Sequence, residues 1–210
     1  MIASAGACIL AYSKDYRPIV GIVYLGATYN FTQPNAELYI EEILLHEITH
    51  VLVFSPTLFQ YFPVSSKPVS EIIEWNGQNR TVIRLPKVLE AAKNHFNCNS
   101  MKGVEVEDQG GSGSVGAHWE SRVMLGDYMV SSDYRERAIS EMTLGLFEDS
   151  GWYKVNHYSG GLFRYGKNRG CDFIDKKCII EKKVILINFV RSLQNQCAIQ
   201  DIYQKVYATW

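Results

Sequence analysis

An α+β fold with a small mixed sheet and one long helix is expected, and three stretches of the sequence carry that expectation. Residues 17–29 are rich in β-branched and aromatic side chains and read as a strand. Residues 36–54 form a long apolar run, entered through Pro34-Asn35 and closed by Ser55-Pro56. Proline suits a helix start, and the residue before a proline avoids the helical region. Residues 69–75 and 80–85 are strand-like and flank Asn76-Gly77, a hairpin signal.

In chain order, residues 1–12 are apolar but lack a basic leader and lead straight into a plausible strand, so they do not read as a secretion signal. The strand at 17–29 follows, and then the long helix, with Glu37 in its first turn matching the helix dipole. Residues 57–62 make an aromatic turn ahead of the hairpin. Pro86 opens a helix over 87–96. Residues 110–116 are a glycine-rich loop without Gly-Lys-Ser/Thr, which argues against a phosphate cradle. That loop instead lets the backbone turn tightly and deliver Ala117-His118-Trp119. Residues 135–149 carry Ala138, Ile139, Met142, Leu146 and Phe147 at helical spacing, with Gly151 as the stop. Beyond residue 160 the chain is rich in glycine and lysine and contains Cys171 and Cys178. No internal repeat is visible.

The composition narrows the function. At 210 residues and 47% hydrophobic content, the chain is long enough for one large or two small domains with a real core. A net charge of -1 argues against a nucleic-acid or polybasic membrane binder. No apolar run has the length of a membrane span. Five cysteines are an odd number, so in an oxidising compartment at least one lacks a partner within the chain. Asn30-Phe31-Thr32 and Asn79-Arg80-Thr81 are glycosylation acceptors, a weak signal.

The chemistry concentrates in His46-Glu47-Ile48-Thr49-His50, inside the long helix. Residues four apart share a helix face, so the two imidazoles can address one point. Neutral imidazole is a good zinc ligand, and a catalytic zinc has three protein ligands and one open position. Glu47 lies beside such a metal, where it can act as general base. The flanking residues Ile43, Leu44, Leu45, Ile48, Val51, Leu52 and Val53 suggest a helix buried nearly all round. A third ligand is then required. Glu71 and Glu74 are candidates, but their setting reads as strand. The compact metzincin spacing would put a histidine at position 56, which is Pro56. His95, His118 and His157 remain. His118 is favoured because it follows the glycine loop and precedes Gly126-Asp127-Tyr128-Met129, a possible methionine turn.

Taken together, these stretches resemble the leishmanolysin family of zinc metalloendopeptidases. The resemblance runs through Arg17-Pro18-Ile19-Val20-Gly21, the segment from Leu45 to Leu52, and Phe54-Ser55-Pro56-Thr57-Leu58-Phe59. It continues through Asn94-His95-Phe96-Asn97-Cys98, Gly116-Ala117-His118-Trp119-Glu120-Ser121-Arg122 and Asp127-Tyr128-Met129. It ends in the run from Thr143 to Tyr153 and in Gly166-Lys167-Asn168-Arg169-Gly170-Cys171. A long insertion before the third histidine is a family trait, and 67 residues lie between His50 and His118 here.

The resemblance implies a metzincin-like fold and one zinc ion on His46, His50 and His118, with Glu47 as base and Met129 in the methionine turn. It implies a Cys98–Cys171 disulfide and partners for Cys8, Cys178 and Cys197 in segments this chain lacks. It divides the chain into an N-terminal catalytic subdomain (1–54), an insertion with the C-terminal catalytic subdomain (55–160), and the start of a cysteine-containing region (161–210). The whole protein is expected to be longer, extracellular or at the cell surface, and to act on extended polypeptides laid along the strand edge before the motif helix. Membrane association would belong to that whole protein, and neither a signal peptide nor a membrane segment is expected in this chain. One residue departs from the pattern: Val53 stands where the family has glycine. A β-branched residue suits a positive φ poorly. The turn is therefore made differently, nearer Ser55-Pro56, or is strained. On that reading Val53→Gly raises activity or leaves it unchanged. Val53 also favours an alternative function, a catalytically impaired adhesion or binding module that keeps the zinc site.

Overall fold

The apolar run after Pro34-Asn35 folds as helix α1, Ala36–Leu52, and the other elements are placed around it. The computed structural model describes residues 3–12, 15–26, 36–63, 68–109, 111, 113–131, 137–157, 162–176, 179–180 and 183–184. Strands β1 (Ala3–Leu10) and β2 (Pro18–Leu25) pair antiparallel, from Ala3 opposite Leu25 to Leu10 opposite Pro18. Both pack on α1. The approach is so close that a Cβ on Gly21 would fall 2.1 Å from Val51 Cγ1. The far side of α1 is open, which corrects the expectation of a helix buried nearly all round. Leu38, Leu45 and Ile48 are exposed, whereas Ile43, His46, Glu47, Thr49 and His50 are buried. Apolar composition alone could not show that one side of the helix goes uncovered.

The expected hairpin forms from β3 (Ser70–Trp75) and β4 (Gln78–Ile83), and β5 (Val104–Glu105) adds to β4. Asn76 and Gly77 both have positive φ, 53° and 73°, as a two-residue turn between twisted strands requires. Strands β6 (Ile179–Ile180) and β7 (Lys183–Val184) form a third pair. Among the described residues the expected single mixed sheet is thus three small antiparallel sheets. Among the same residues parallel pairing occurs as isolated bridges, Trp119 with Val130 and Asp127 with Ala138.

The remaining helices are α2 (Pro56–Phe59), α3 (Pro86–Phe96), α4 (Ser121–Met124), α5 (Glu141–Asp149) and α6 (Cys171–Asp175). Helix α5 starts later than its apolar spacing suggests. Ser140 caps it by accepting from Thr143 N at 3.2 Å, and Ala138 instead pairs with residues 126–128. Residues 132–136 lie outside the described set. Asp149, at the end of α5, accepts from Lys87 N (2.9 Å) and Val88 N (3.0 Å), so α5 caps α3. The core gathers Phe54, Phe59, Phe62, Trp119, Met124, Met129, Met142 and Leu146. Cys98 and Cys171 form a disulfide, with an S–S distance of 2.06 Å, between the end of α3 and the start of α6. In the chain-entropy account such a loop closure contributes about 4 kcal/mol. Cys8 is an exposed free thiol, and Cys178 and Cys197 lie outside the described residues. Glu105 binds Arg80 (2.6 Å) and also Arg122, and both arginines donate to the Ile174 carbonyl of α6.

Candidate metal centre

One turn of α1 brings His46 and His50 together, with their Nε2 atoms 3.0 Å apart. The third ring arrives from the glycine loop. Glu107 N donates to His118 O (2.9 Å) and Gly116 N to Glu107 O (2.8 Å), which closes the loop at its base. Gly116 turns there with φ 73°. The His118 ring centroid then lies 5.1 Å from that of His46 and 4.8 Å from that of His50. One nitrogen from each of the three rings lies within 4.8 Å of the other two. All three residues are buried. A tetrahedral ion with arms of about 2.0–2.1 Å needs ligand nitrogens about 3.3 Å apart. The His46–His50 pair is already close to that spacing at 3.0 Å, and the His118 nitrogen lies within 4.8 Å of both, so the three rings fit one zinc ion.

The outward nitrogens are all engaged. His46 Nδ1 donates to Tyr128 O (2.6 Å) and His50 Nδ1 to Phe54 O (2.8 Å). His118 Nδ1 donates to Glu107 Oε2 (3.0 Å), with Ser114 O at 3.3 Å. This assignment fixes the tautomer and leaves each Nε2 lone pair for a metal. Burial, then the neighbouring rings, holds His46 down to about 3; burial and His118 hold His50 down to about 4. Both are therefore neutral donors at physiological pH.

Glu47 is 7% exposed. Burial raises its carboxyl above the usual range, with His118 opposing. Against His46 runs the segment from Asp127 to Val130, which carries the Tyr128 carbonyl. Asp127 and Met129 are fully buried. Asp127 accepts from Met129 N (2.7 Å), Ser140 N (3.1 Å) and Thr143 Oγ1 (2.9 Å). Thr143 Oγ1 in turn accepts from Trp119 Nε1 (2.7 Å), and Trp119 N donates to Met129 O (3.0 Å). Thr49 gives its proton to Leu45 O (2.8 Å), so its oxygen accepts from Tyr128 Oη (2.9 Å). The segment holding Met129 is thus joined to both the motif helix and the residue after His118.

The end of α1 settles the question of Val53. Its φ is not positive, so the left-handed strain does not arise. Val53 N and Phe54 N both donate to Thr49 O (2.9 Å each), and the chain turns into Ser55-Pro56. This wider turn places the Phe54 carbonyl on His50. Val53 itself is 0% exposed within the core. Val53→Gly is therefore expected to destabilise the fold, by about 2–4 kcal/mol, from lost packing and added backbone freedom. A denaturant melt measures it; a midpoint at or above that of the parent chain would contradict the packing.

The other candidate ligands are placed elsewhere. Glu71 pairs with Arg84 (2.6 Å) and Glu74 accepts from Gly77 N (3.2 Å). His95 bonds Tyr165 O (2.8 Å), and His157 lies between Glu141 (2.6 Å) and Glu148 (3.4 Å). Glu107, Thr49, Tyr128 and Asp127 were not assigned roles from sequence. The alternation Val104-Glu105-Val106-Glu107 is the one local signal for Glu107, because it sets two carboxylates on one face of a strand, each needing a partner.

Comparison with known proteins bears on the same residues. A family model described as leishmanolysin matches residues 1–202. A leishmanolysin-like peptidase of Drosophila melanogaster is 30% identical over 212 residues, covering 84% of this chain and 31% of that protein. A leishmanolysin homolog of Crithidia fasciculata is 31% identical, over 86% of this chain and 27% of its own length. Leishmanolysin of Leishmania major is 28% identical, over 79% of this chain and 27% of its own. The chain spans less than a third of the length of the curated relatives it matches.

Proposed function

Since this chain belongs to the leishmanolysin family of zinc metalloproteases, we propose that it is a zinc-dependent endopeptidase, or the zinc-binding portion of one. The observation that carries the reading is the trio of buried imidazoles, whose metal-facing nitrogens lie within 4.8 Å of one another. In this reading His46, His50 and His118 hold the ion. Bound there, zinc supplies the Lewis acid that makes water nucleophilic and polarises the scissile carbonyl. Glu47 takes the proton from the attacking water and delivers it to the leaving amine. Its raised pKa suits both directions of that transfer. Met129 takes the position of the turn methionine. An extended polypeptide substrate lies along the edge of β2 that has no partner strand among the described residues, making main-chain hydrogen bonds as an added strand.

The same reading assigns residues 1–54 and 55–160 to the two catalytic subdomains and 161–210 to a cysteine-containing extension. It places the whole protein outside the cell or on its surface. The Cys98–Cys171 disulfide suits an oxidising compartment. No helix among the described residues is long and apolar enough to cross a membrane. The alternative of an impaired adhesion module drew in part on Val53, and the unstrained turn at that residue takes away that one argument for it.

Metal analysis tests the proposal. The chain is expected to hold one zinc and to cleave casein in a chelator-sensitive way. His118→Ala should lose both the zinc and the activity. Full zinc occupancy in His118→Ala would exclude the three-histidine site.

A further inference from the structure

The three histidines differ in what holds their outward nitrogens. His46 and His50 donate to backbone carbonyls, but His118 donates to a carboxylate, Glu107 Oε2, at 3.0 Å. Glu107 is well shielded, with 17% of its side chain exposed. Its other oxygen, Oε1, accepts from Ser131 Oγ at 2.8 Å, just after the buried segment that contains Met129.

The carboxylate is not needed to close the glycine loop. Backbone bonds between Glu107 and residues 116 and 118 do that already, and the Ser114 carbonyl offers the ring a second acceptor at 3.3 Å. What the side chain adds is a fixed anion behind the ligand that comes from farthest along the chain. A carboxylate on the far nitrogen of a ligating imidazole orients the ring and makes the near nitrogen a stronger donor. His46 and His50 need this less, because one helix sets their geometry.

We propose that Glu107 is the positioning residue of the metal centre, locking His118 with its Nε2 lone pair toward the shared ligand point and tying that ring to the segment after Met129. The proposal rests on the three-histidine zinc reading and goes one shell beyond it.

The test measures zinc affinity by competition with a chromophoric chelator, using the whole chain and Zn2+ alone as probe. Glu107→Gln keeps an acceptor and the side-chain volume but removes the charge, and should weaken binding about tenfold. Glu107→Ala removes both and should approach a hundredfold loss. Glu71→Gln, which removes a carboxylate from the half-exposed Arg84 pair, should bind as the parent chain does. The metal-free Glu107→Gln protein should melt close to the parent, and its cobalt-substituted form should show a shifted visible spectrum. Should Glu107→Ala misfold, the Gln variant still gives the reading. Parental zinc affinity in both Glu107 variants overturns the proposal. So does an affinity loss that merely follows a loss of metal-free stability. If the parent chain binds no zinc, the three-histidine reading fails first and takes this one with it.

Discussion

Glu47→Gln is expected to bind zinc as the parent chain does and to hydrolyse casein about a hundred- to ten-thousand-fold more slowly, the usual contribution of a positioned acid–base group. The two halves of this result have separate causes. Zinc retention follows because Glu47 is not among the three residues whose nitrogens converge. Glutamine keeps the shape of a side chain that is 7% exposed, so the surrounding packing should survive. The loss of rate follows because an amide cannot accept the proton of the attacking water. Burial already holds the Glu47 carboxyl above the ordinary glutamate range, which would help a base in the proposed role release its proton to an amine. Zinc content by atomic absorption and initial rates on casein decide it. A Glu47→Gln protein that loses zinc would place the carboxylate on the metal. One that keeps its rate would move the base elsewhere.

The pairing of His46 and His50 was legible in the sequence because its geometry is local. A spacing of four on a helix faces two imidazoles the same way whatever surrounds them. His118 was legible for a different reason: a glycine loop and a following methionine segment frame it, and the loop closes as that framing suggests. The supporting residues were not legible. Glu107 meets His118 only because the strand before the loop and the chain after it run back antiparallel, with Val106 bridged to Trp119. Tyr128 serves His46 through a backbone carbonyl, which any residue would carry. Two further features share a physical root. The side of α1 bearing Leu45 and Ile48 is apolar yet exposed, against the expected burial, and Val53 is unstrained because the chain turns nearer Ser55-Pro56, one of the two outcomes the sequence left open. Side-chain type describes what a residue tolerates, whereas coverage and turn geometry depend on what the rest of the chain places nearby.

Asp127→Ala should cost the fold roughly 3–5 kcal/mol, a large part of a typical domain's 5–15 kcal/mol. The carboxylate is 0% exposed and receives Met129 N, Ser140 N and Thr143 Oγ1. Removing it leaves buried donors without an acceptor, at about 1–3 kcal/mol each. It also frees the segment whose Tyr128 carbonyl orients His46, so zinc affinity should fall with stability. Asp127→Asn separates charge from shape. Burial pushes the Asp127 carboxyl up to about 6, with hydrogen bonds from Ser140, Met129 and Thr143 limiting the rise. Unfolded, it titrates near about 4. Between those values the folded chain keeps a proton that the unfolded chain has released. The stability this carboxyl contributes is therefore complete below about pH 4 and lost as pH rises through about 6. Asparagine cannot titrate, so the advantage of the parent over Asp127→Asn should shrink by on the order of 2–3 kcal/mol between pH 4 and pH 7. Paired denaturant melts of the metal-free proteins across that range measure the difference, in which the titrations of the other groups cancel. A constant gap would mean that Asp127 stays ionised throughout and that its hydrogen bonds outweigh its burial.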